Sequence, residues 1–279
     1  MKILEPSTEY LAESITSKEH HFARCARICY ASEKGDDKKL YENLWKQGHR
    51  SMYRHISRYF KIPLERTTTH INIVLNCSPF LTTVYDNVNG YIYVSTNEQY
   101  ARENIGLIQV IKDFEVSPAQ AHDDEGFIKS GVLRYTFVIN TGIDITRELN
   151  RVSPNNIAEQ STRYVDFNKK IGVCFKKCNW MHLASTYKTI LYMFMCKVDE
   201  WFYKISRSKY GLNLKPQDAR WCLFLDTQSK AAYTYSFKEW QHILDLRYHG
   251  TTGAPHPDAK NVAYKIWEWF YCCGYKNRI

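Results

Sequence analysis

Residues 143–164 read Ile-Asp-Ile-Thr-Arg-Glu-Leu-Asn-Arg-Val-Ser-Pro-Asn-Asn-Ile-Ala-Glu-Gln-Ser-Thr-Arg-Tyr. The spacing of Ile143, Ile145 and Leu149 predicts a helix over Ile143 to Arg151, stopped by Ser153-Pro154-Asn155-Asn156 because proline restricts the residue before it. Just upstream, Leu133 to Thr141 alternates as a strand does, so the segment is a strand, a helix and a polar loop in succession. Working outward, helices are expected over His20 to Ala31, Asp37 to Gln47, Thr96 to Asp113 (with Thr96 and Gln99 as a capping box), Trp180 to Ile205, Gln217 to Gln228, Phe237 to Leu246 and Asp258 to Cys272. His55 to Pro63, His70 to Cys77 and Gly90 to Ser95 read as strands, and Ala119 to Glu125 as an acidic loop. The pattern implies a single α+β domain over residues 1–279, with an antiparallel or mixed sheet, flanking helices, and Ile56 to Gly131 as an insertion.

Composition bounds the function. A hydrophobic content of 44% with only 12 Gly and 8 Pro excludes disordered and fibrous classes. A net charge of +9 favours anionic partners, phosphates above all. The best apolar run, Ile190 to Cys196, is closed by Lys197, so no membrane span is expected, and Glu5-Pro6 interrupts any secretory signal. The chain reads as cytoplasmic. Nine scattered cysteines are expected as free thiols. Cys25 with Cys29, Cys174 with Cys178, and His20, His21 and His55 lack metal-site spacing, so no metal is assigned.

The densest polar cluster is Arg147-Glu-Leu-Asn-Arg151 followed by Glu159-Gln-Ser-Thr-Arg163-Tyr164. On a helix Arg147 and Arg151 share a face. Arg163 behind two hydroxyls supplies what a phosphate monoester needs: a forked cation, hydroxyl groups and turn amides. The bland alternative is a solvated helix face with surface ion pairs.

Arg147-x-x-x-Arg151 with Glu159-x-Ser161-x-Arg163-Tyr164 resembles the signature of the flavin-dependent thymidylate synthases. Ala26-Arg27-Ile28-Cys29-Tyr30, Gly48-His49-Arg50-Ser51-Met52-Tyr53-Arg54-His55, Pro216-x-x-Ala219-Arg220 and Leu244-x-Leu246-Arg247 resemble further motifs of that family, in order. The resemblance covers residues 20–55 and 132–272, and it implies the thymidylate synthase-complementing-protein fold. It also implies reductive methylation of dUMP to dTMP, with methylenetetrahydrofolate as carbon donor and FAD, reduced by NADPH, as the source of hydride. By the same resemblance Glu148, Arg151, Glu159, Ser161, Thr162, Arg163, Arg220 and Arg247 would hold the nucleotide. Arg247 would be the catalytic group that polarises the pyrimidine. His49, Ser51, Arg151, Val152, Ser153, Glu159, Ser236, Lys238 and His242 fall where flavin is contacted. The family's homotetramers place active sites between subunits, and Trp267, Trp269, Phe270 and Tyr271 are expected at such an interface.

This chain departs from the family pattern at several points. Arg151-Val152-Ser153 stands for Arg-His-Arg, Ala158 for asparagine, Arg54 for an acidic residue, Ser236 and His242 for asparagines, and Glu148 for glutamine. No Pro-Cys dipeptide occurs, so the cysteine-based route of the unrelated synthases has no counterpart. Two rival readings remain: folate-dependent alkylation, such as hydroxymethylation, of another pyrimidine nucleotide, and non-catalytic nucleotide or nucleic-acid binding. For the latter, Lys169-Lys170 and Lys176-Lys177 interleaved with Phe167 and Phe175 are the candidate strip, with a basic hairpin edge as the favoured explanation and nucleic acid not expected as a partner.

Overall fold

Two nine-residue strands organise the structure, a computed structural model describing all residues except 14, 33, 169–171, 276, 277 and 279. The chain opens with β1 (Lys2–Leu4), β2 (Ser7–Leu11), α1 (Lys18–Tyr30) and α2 (Asp37–Lys46). A middle segment follows: β3 (Ser57–Pro63), α3 (Thr69–Asn76), β4 (Thr82–Asp86), β5 (Tyr91–Asn97), α4 (Glu98–Glu103), α5 (Ile105–Ile111), β6 (Glu115–Val116), α6 (Pro118–Asp123) and α7 (Glu125–Ser130). Then come β7 (Arg134–Gly142), α8 (Ile143–Leu149), β8 (Ile157–Glu159), β9 (Cys174–Lys176) and α9 (Thr186–Arg207). The chain closes with α10 (Pro216–Ala219), β10 (Gln228–Ser236), α11 (Phe237–Leu244) and α12 (Pro257–Phe270).

The main sheet is antiparallel in the order β2-β7-β10-β8, with Phe137 of β7 between Tyr10 and Tyr233. Because side chains alternate across a strand, β7 and β10 feed two cores. Tyr135, Phe137, Ile139, Tyr233 and Tyr235 face α11 and α12, where Trp240, Ile243, Val262, Ile266 and Phe270 are fully buried. Val138 and Ala232 face α1 at Cys25 and Ile28. Between these layers lies a polar seam: His55 Nδ1 and Thr136 Oγ1 meet Thr234 Oγ1 at 2.8 and 2.7 Å, and His21 Nε2 lies 3.2 Å from Thr136 Oγ1. These contacts engage both histidines in the sheet, and burial pushes the His55 imidazole down to about 3.

The middle segment builds its own antiparallel sheet, β4-β5-β3-β6. Phe60, Ile62, Ile92 and Val94 turn to a local core with Ile71, Val74, Leu75 and Ile108, whereas Tyr59 and Tyr93 on the opposite face join the main core. Gly126 permits that contact, since a Cβ there would lie 1.9 Å from the Tyr93 hydroxyl.

Several expected elements differ. His70 to Cys77 is helical (α3) because Ile71, Val74 and Leu75 bury one helical stripe. The Thr96 cap is displaced to Asn97, whose side chain accepts from the Tyr100 N–H, and the helix is broken at Asn104 into α4 and α5. The expected acidic loop is α6, opened by a Ser117–Gln120 capping box. Gln217 to Gln228 is a short helix and a 3-10 turn, and Gln228–Ser236, for which no element is expected, is the strand β10: Tyr233-Thr234-Tyr235-Ser236 alternates as a strand does, with the tyrosines in the main core and Thr234 in the polar seam. Of the basic strip, Phe167, Phe175 and Lys176 are buried, and Lys169-Lys170 lies outside the described residues. Of the C-terminal aromatics, Phe270 is buried and Trp269 packs on Tyr10 and Phe137, whereas Trp267 is half-buried and Tyr271 exposed. Exposed apolar side chains also gather on α9, including Tyr187, Ile190, Phe194, Trp201 and Phe202. Among the described residues no helix is long and apolar enough to cross a membrane.

Candidate active site

Gly142 joins β7 to α8, and its lack of a side chain leaves room for the Asp144 carboxylate and the Lys176 stem, which a Cβ there would displace. Helix α8 buries Ile145, Thr146 and Leu149 and turns Arg147 outward. It ends at Leu149, two residues earlier than expected, so Arg151 lies past the helix and does not stack on Arg147. The loop that follows is fastened at both edges. Arg54 Nη1 donates to the Asn155 carbonyl at 2.8 Å, and the Thr234 N–H donates to that of Asn156 at 3.1 Å. Arg54 is itself held by Gln99 at 2.7 Å and by the Phe80 ring, both in the middle segment.

Strand β8 pairs with β10 and delivers Glu159, whose Oε1 accepts from Thr146 Oγ1 and Ser229 Oγ, each at 2.9 Å. The chain then turns tightly. Ser161 N–H donates to the Cys29 carbonyl at 2.9 Å, Val165 N–H to the Ser161 carbonyl at 3.1 Å, and Arg163 N–H to Ser161 Oγ at 3.2 Å. With Val165 buried as an anchor, the turn displays Ser161, Thr162 and Arg163. Opposite, the 3-10 turn Arg220–Cys222 brings Arg220 Nη1 to Thr162 Oγ1 at 3.1 Å. The result is an open cavity of about 620 Å³ lined by Arg147, Glu159, Ser161, Thr162, Arg163 and Arg220, with Ile143, Trp221, Leu223 and Leu225 as its apolar wall. Three guanidiniums, two hydroxyls and a turn suit a phosphate monoester, and the apolar wall suits a flat organic group. Arg147 and Trp221 line the cavity without having been expected as site residues, although Arg147 belongs to the polar cluster and Trp221 directly follows Arg220 in sequence.

The remaining expected nucleotide residues form a separate group. Arg247 is clamped by Glu148 twice, with Nε donating to its carbonyl at 2.7 Å and Nη2 lying 3.0 Å from its carboxylate. Arg151 approaches the same carboxylate at 3.7 Å. None of these three lines the Ser161 cavity.

The two thiols whose backbones border the cavity, Cys29 and Cys222, are both pushed up to about 11 by burial, so neither offers a thiolate at neutral pH. All nine cysteines are free. The described residues hold no metal-ligating group of three or more His, Cys, Asp or Glu side chains.

The sequence pattern that defines the thymidylate synthase complementing proteins matches residues 132–271, half of the chain. The protein belongs to this family. The match begins where the middle segment ends and takes in both the cavity and the Glu148–Arg247 group. No curated protein matches the chain in sequence. Among solved structures it is similar to a UMP/dUMP methylase, PolB, from Streptomyces cacaoi. The form bound with 5-Br dUMP is 14% identical, with a TM-score of 0.46, over 98% of this chain and 93% of that one. The form bound with 5-Br UMP is 13% identical, with the same score, over 98% and 92%.

The resemblance to the flavin-dependent members of the family assigns a second set of residues. His49, Ser51, Arg151, Ser153, Lys238 and His242 are exposed, and Val152 is half-buried against the main core. The Arg54–Asn155 bond links the turn carrying His49 and Ser51 to the loop carrying Arg151 to Ser153. Exposed cations and hydroxyls of this kind fit the diphosphate of a dinucleotide. Ser236 differs: it is buried, and its Oγ caps α11 by accepting from the Glu239 N–H at 3.3 Å, so its hydroxyl is committed to the helix.

Proposed function

We propose that the protein reductively methylates dUMP to dTMP, with methylenetetrahydrofolate as carbon donor and FAD and NADPH as the redox partners. The observation that carries this reading is the convergence of Ser161, Thr162, Arg163 and Arg220 on one cavity inside the family-matched region. In this reading Arg163, Arg220 and the Ser161 turn bind the 5′-phosphate, while Glu159, fixed by Thr146 and Ser229, orients the sugar or base as an acceptor. Arg247 stabilises negative charge on the pyrimidine oxygen, which raises electron density at C5 without a cysteine adduct at C6. C5 then takes the methylene carbon and gives up its proton, and the bond from that carbon to the folate nitrogen breaks to release tetrahydrofolate. Reduced flavin, when bound, supplies the hydride that completes the methyl group. His49, Ser51, Arg151, Ser153, Lys238 and His242 would hold its phosphates.

Arg247 and the Ser161 cavity are separate groups within one chain, and α9 carries an exposed apolar face. Both features support assembly as a homotetramer in which one subunit's Arg247 serves a neighbour's nucleotide. Light scattering tests the assembly. A monomer with full activity refutes it.

The Glu148–Arg247 pair favours a second reading, alkylation of another pyrimidine nucleotide. A carboxylate accepts only, so it matches an exocyclic amino group better than an amide would. The deciding experiment incubates the protein anaerobically with methylenetetrahydrofolate, FAD, NADPH and either dUMP or dCMP, and weighs the products. A mass gain of one methyl group on dUMP alone supports the first reading. Modification of dCMP alone replaces it with the second.

A further inference from the structure

Trp221 is unusual among the seven tryptophans in being 63% exposed while forming part of a polar cavity wall. Its backbone is rigidly held. Ala219 and Cys222 on either side are buried, Cys222 Sγ donates to the Ala219 carbonyl at 3.3 Å, and Leu223 N–H donates to that of Arg220 at 3.1 Å. The neighbouring Arg220 is fixed on Thr162. The point from which the indole projects is therefore fixed beside the phosphate-binding groups, and its aromatic neighbour Phe202 is tilted at 57° with 6.3 Å between ring centroids, which leaves the ring face open. An exposed indole leaves apolar surface in water, a cost that a flat ring laid on it removes. Leu223, Leu225 and Ile143 extend the same wall.

We propose that Trp221 is the stacking surface for the pyrimidine base and thereby selects nucleotides over simple phosphate esters at this cavity. The inference rests on the nucleotide reading above and adds to it the residue that senses the base. Phosphate-binding arginines and hydroxyls recognise any monoester; a flat apolar platform beside them distinguishes one that carries an aromatic ring.

The test compares the full-length protein with Trp221→Ala and Trp221→Phe by titration calorimetry, using dUMP and 2-deoxyribose 5-phosphate as ligands, with light scattering on each variant. Stacking on an aromatic side chain predicts that Trp221→Ala weakens dUMP binding by about ten- to a hundredfold, leaves deoxyribose phosphate binding unchanged, and that Trp221→Phe recovers most of the loss. Unchanged dUMP affinity in Trp221→Ala overturns the proposal. So does an equal loss for both ligands accompanied by a lower assembly mass, which would make Trp221 a subunit contact. Failure of the wild-type protein to bind either ligand refutes the nucleotide reading itself, and the proposal with it.

Discussion

Replacing Lys176 by methionine should destabilise the fold and loosen the nucleotide cavity together. The Lys176 side chain is only 2% exposed, and its ammonium contacts Asp144 at 3.1 Å, Asp226 at 3.4 Å, and Asp258 through a short hydrogen bond. Asp144 starts α8, and Asp226 ends the segment that carries Arg220 to Leu225, so one cation ties the two walls of the cavity. Methionine fills the stem volume but leaves three carboxylates facing each other. Removing one partner of a buried pair costs about 3–5 kcal/mol. The lower end applies, since Asp144 and Asp226 are about a quarter exposed, Tyr192 still donates to Asp226 at 3.1 Å, and Asn179 N–H still donates to Asp258 at 2.5 Å. With an unfolding entropy of about 2.1 cal/mol/K per residue, roughly 3 kcal/mol lowers the melting midpoint of a chain this size by about 5 °C.

The deficit should also depend on pH. Burial already holds the Asp144 carboxyl above the usual carboxylate range despite Lys176, and without the ammonium it rises further. A carboxyl with a raised folded-state pKa binds more protons folded than unfolded, so the variant loses stability as pH rises through the carboxylate range and recovers as pH falls. Circular-dichroism melts of both proteins at pH 7 and pH 4.5, with dUMP affinity measured at pH 7, check each part. Equal midpoints at pH 7, or a deficit that is the same at both pH values, would refute the assignment of Lys176 as the neutralising hub.

Arg163→Ala should weaken dUMP binding by about tenfold or more, the worth of a hydrogen bond to a charged group, while Arg247→Lys should lower kcat with little change in dUMP affinity; steady-state kinetics and calorimetry separate the two, and equal small effects would tell against both roles. Arg54→Ala removes the bonds to Asn155 and Gln99 and the stack on Phe80; amide hydrogen exchange should accelerate across residues 150–156 while the β7–β10 ladder keeps its protection. His55 has a depressed folded-state pKa, so the unfolded chain binds the extra proton and stability is lost as pH falls from about 6.5 toward 3; His55→Gln should flatten that part of the pH–stability curve in thermal melts.

Local chemistry made much of the site legible. The Glu159–Tyr164 turn, the Arg220 turn and the Arg247 helix end each carry their residue types in a short run, and the structure brings Glu159, Ser161, Thr162, Arg163 and Arg220 together. The position of Arg151 beyond the end of α8 and the capping role of the Ser236 hydroxyl were not legible in this way. Whether a helix runs two residues further, or a hydroxyl faces solvent or caps a helix, depends on neighbours far along the chain. Lys176 shows the limit most clearly. In sequence it is half of a basic pair next to Phe175, and its burial is set by Asp144, Asp226 and Asp258, up to 82 residues away.

The sequence by itself determined the helices with clear amphipathic stripes, α1, α2, α11 and α12, the strands β3, β5 and β7, and the order of the arginine motifs that marks the family. These depend on periodicity and on residue types within a few positions. Tertiary structure alone decided that Gln228–Ser236 is the central strand, that the middle segment pins the 150–156 loop through Arg54, and that Trp221 joins the arginines at one cavity. Each of these depends on pairing and burial between segments distant in sequence: the alternation Tyr233-Thr234-Tyr235-Ser236 is that of a strand but does not name β7 and β8 as its partners, and a desolvated lysine carries no local pattern of its own.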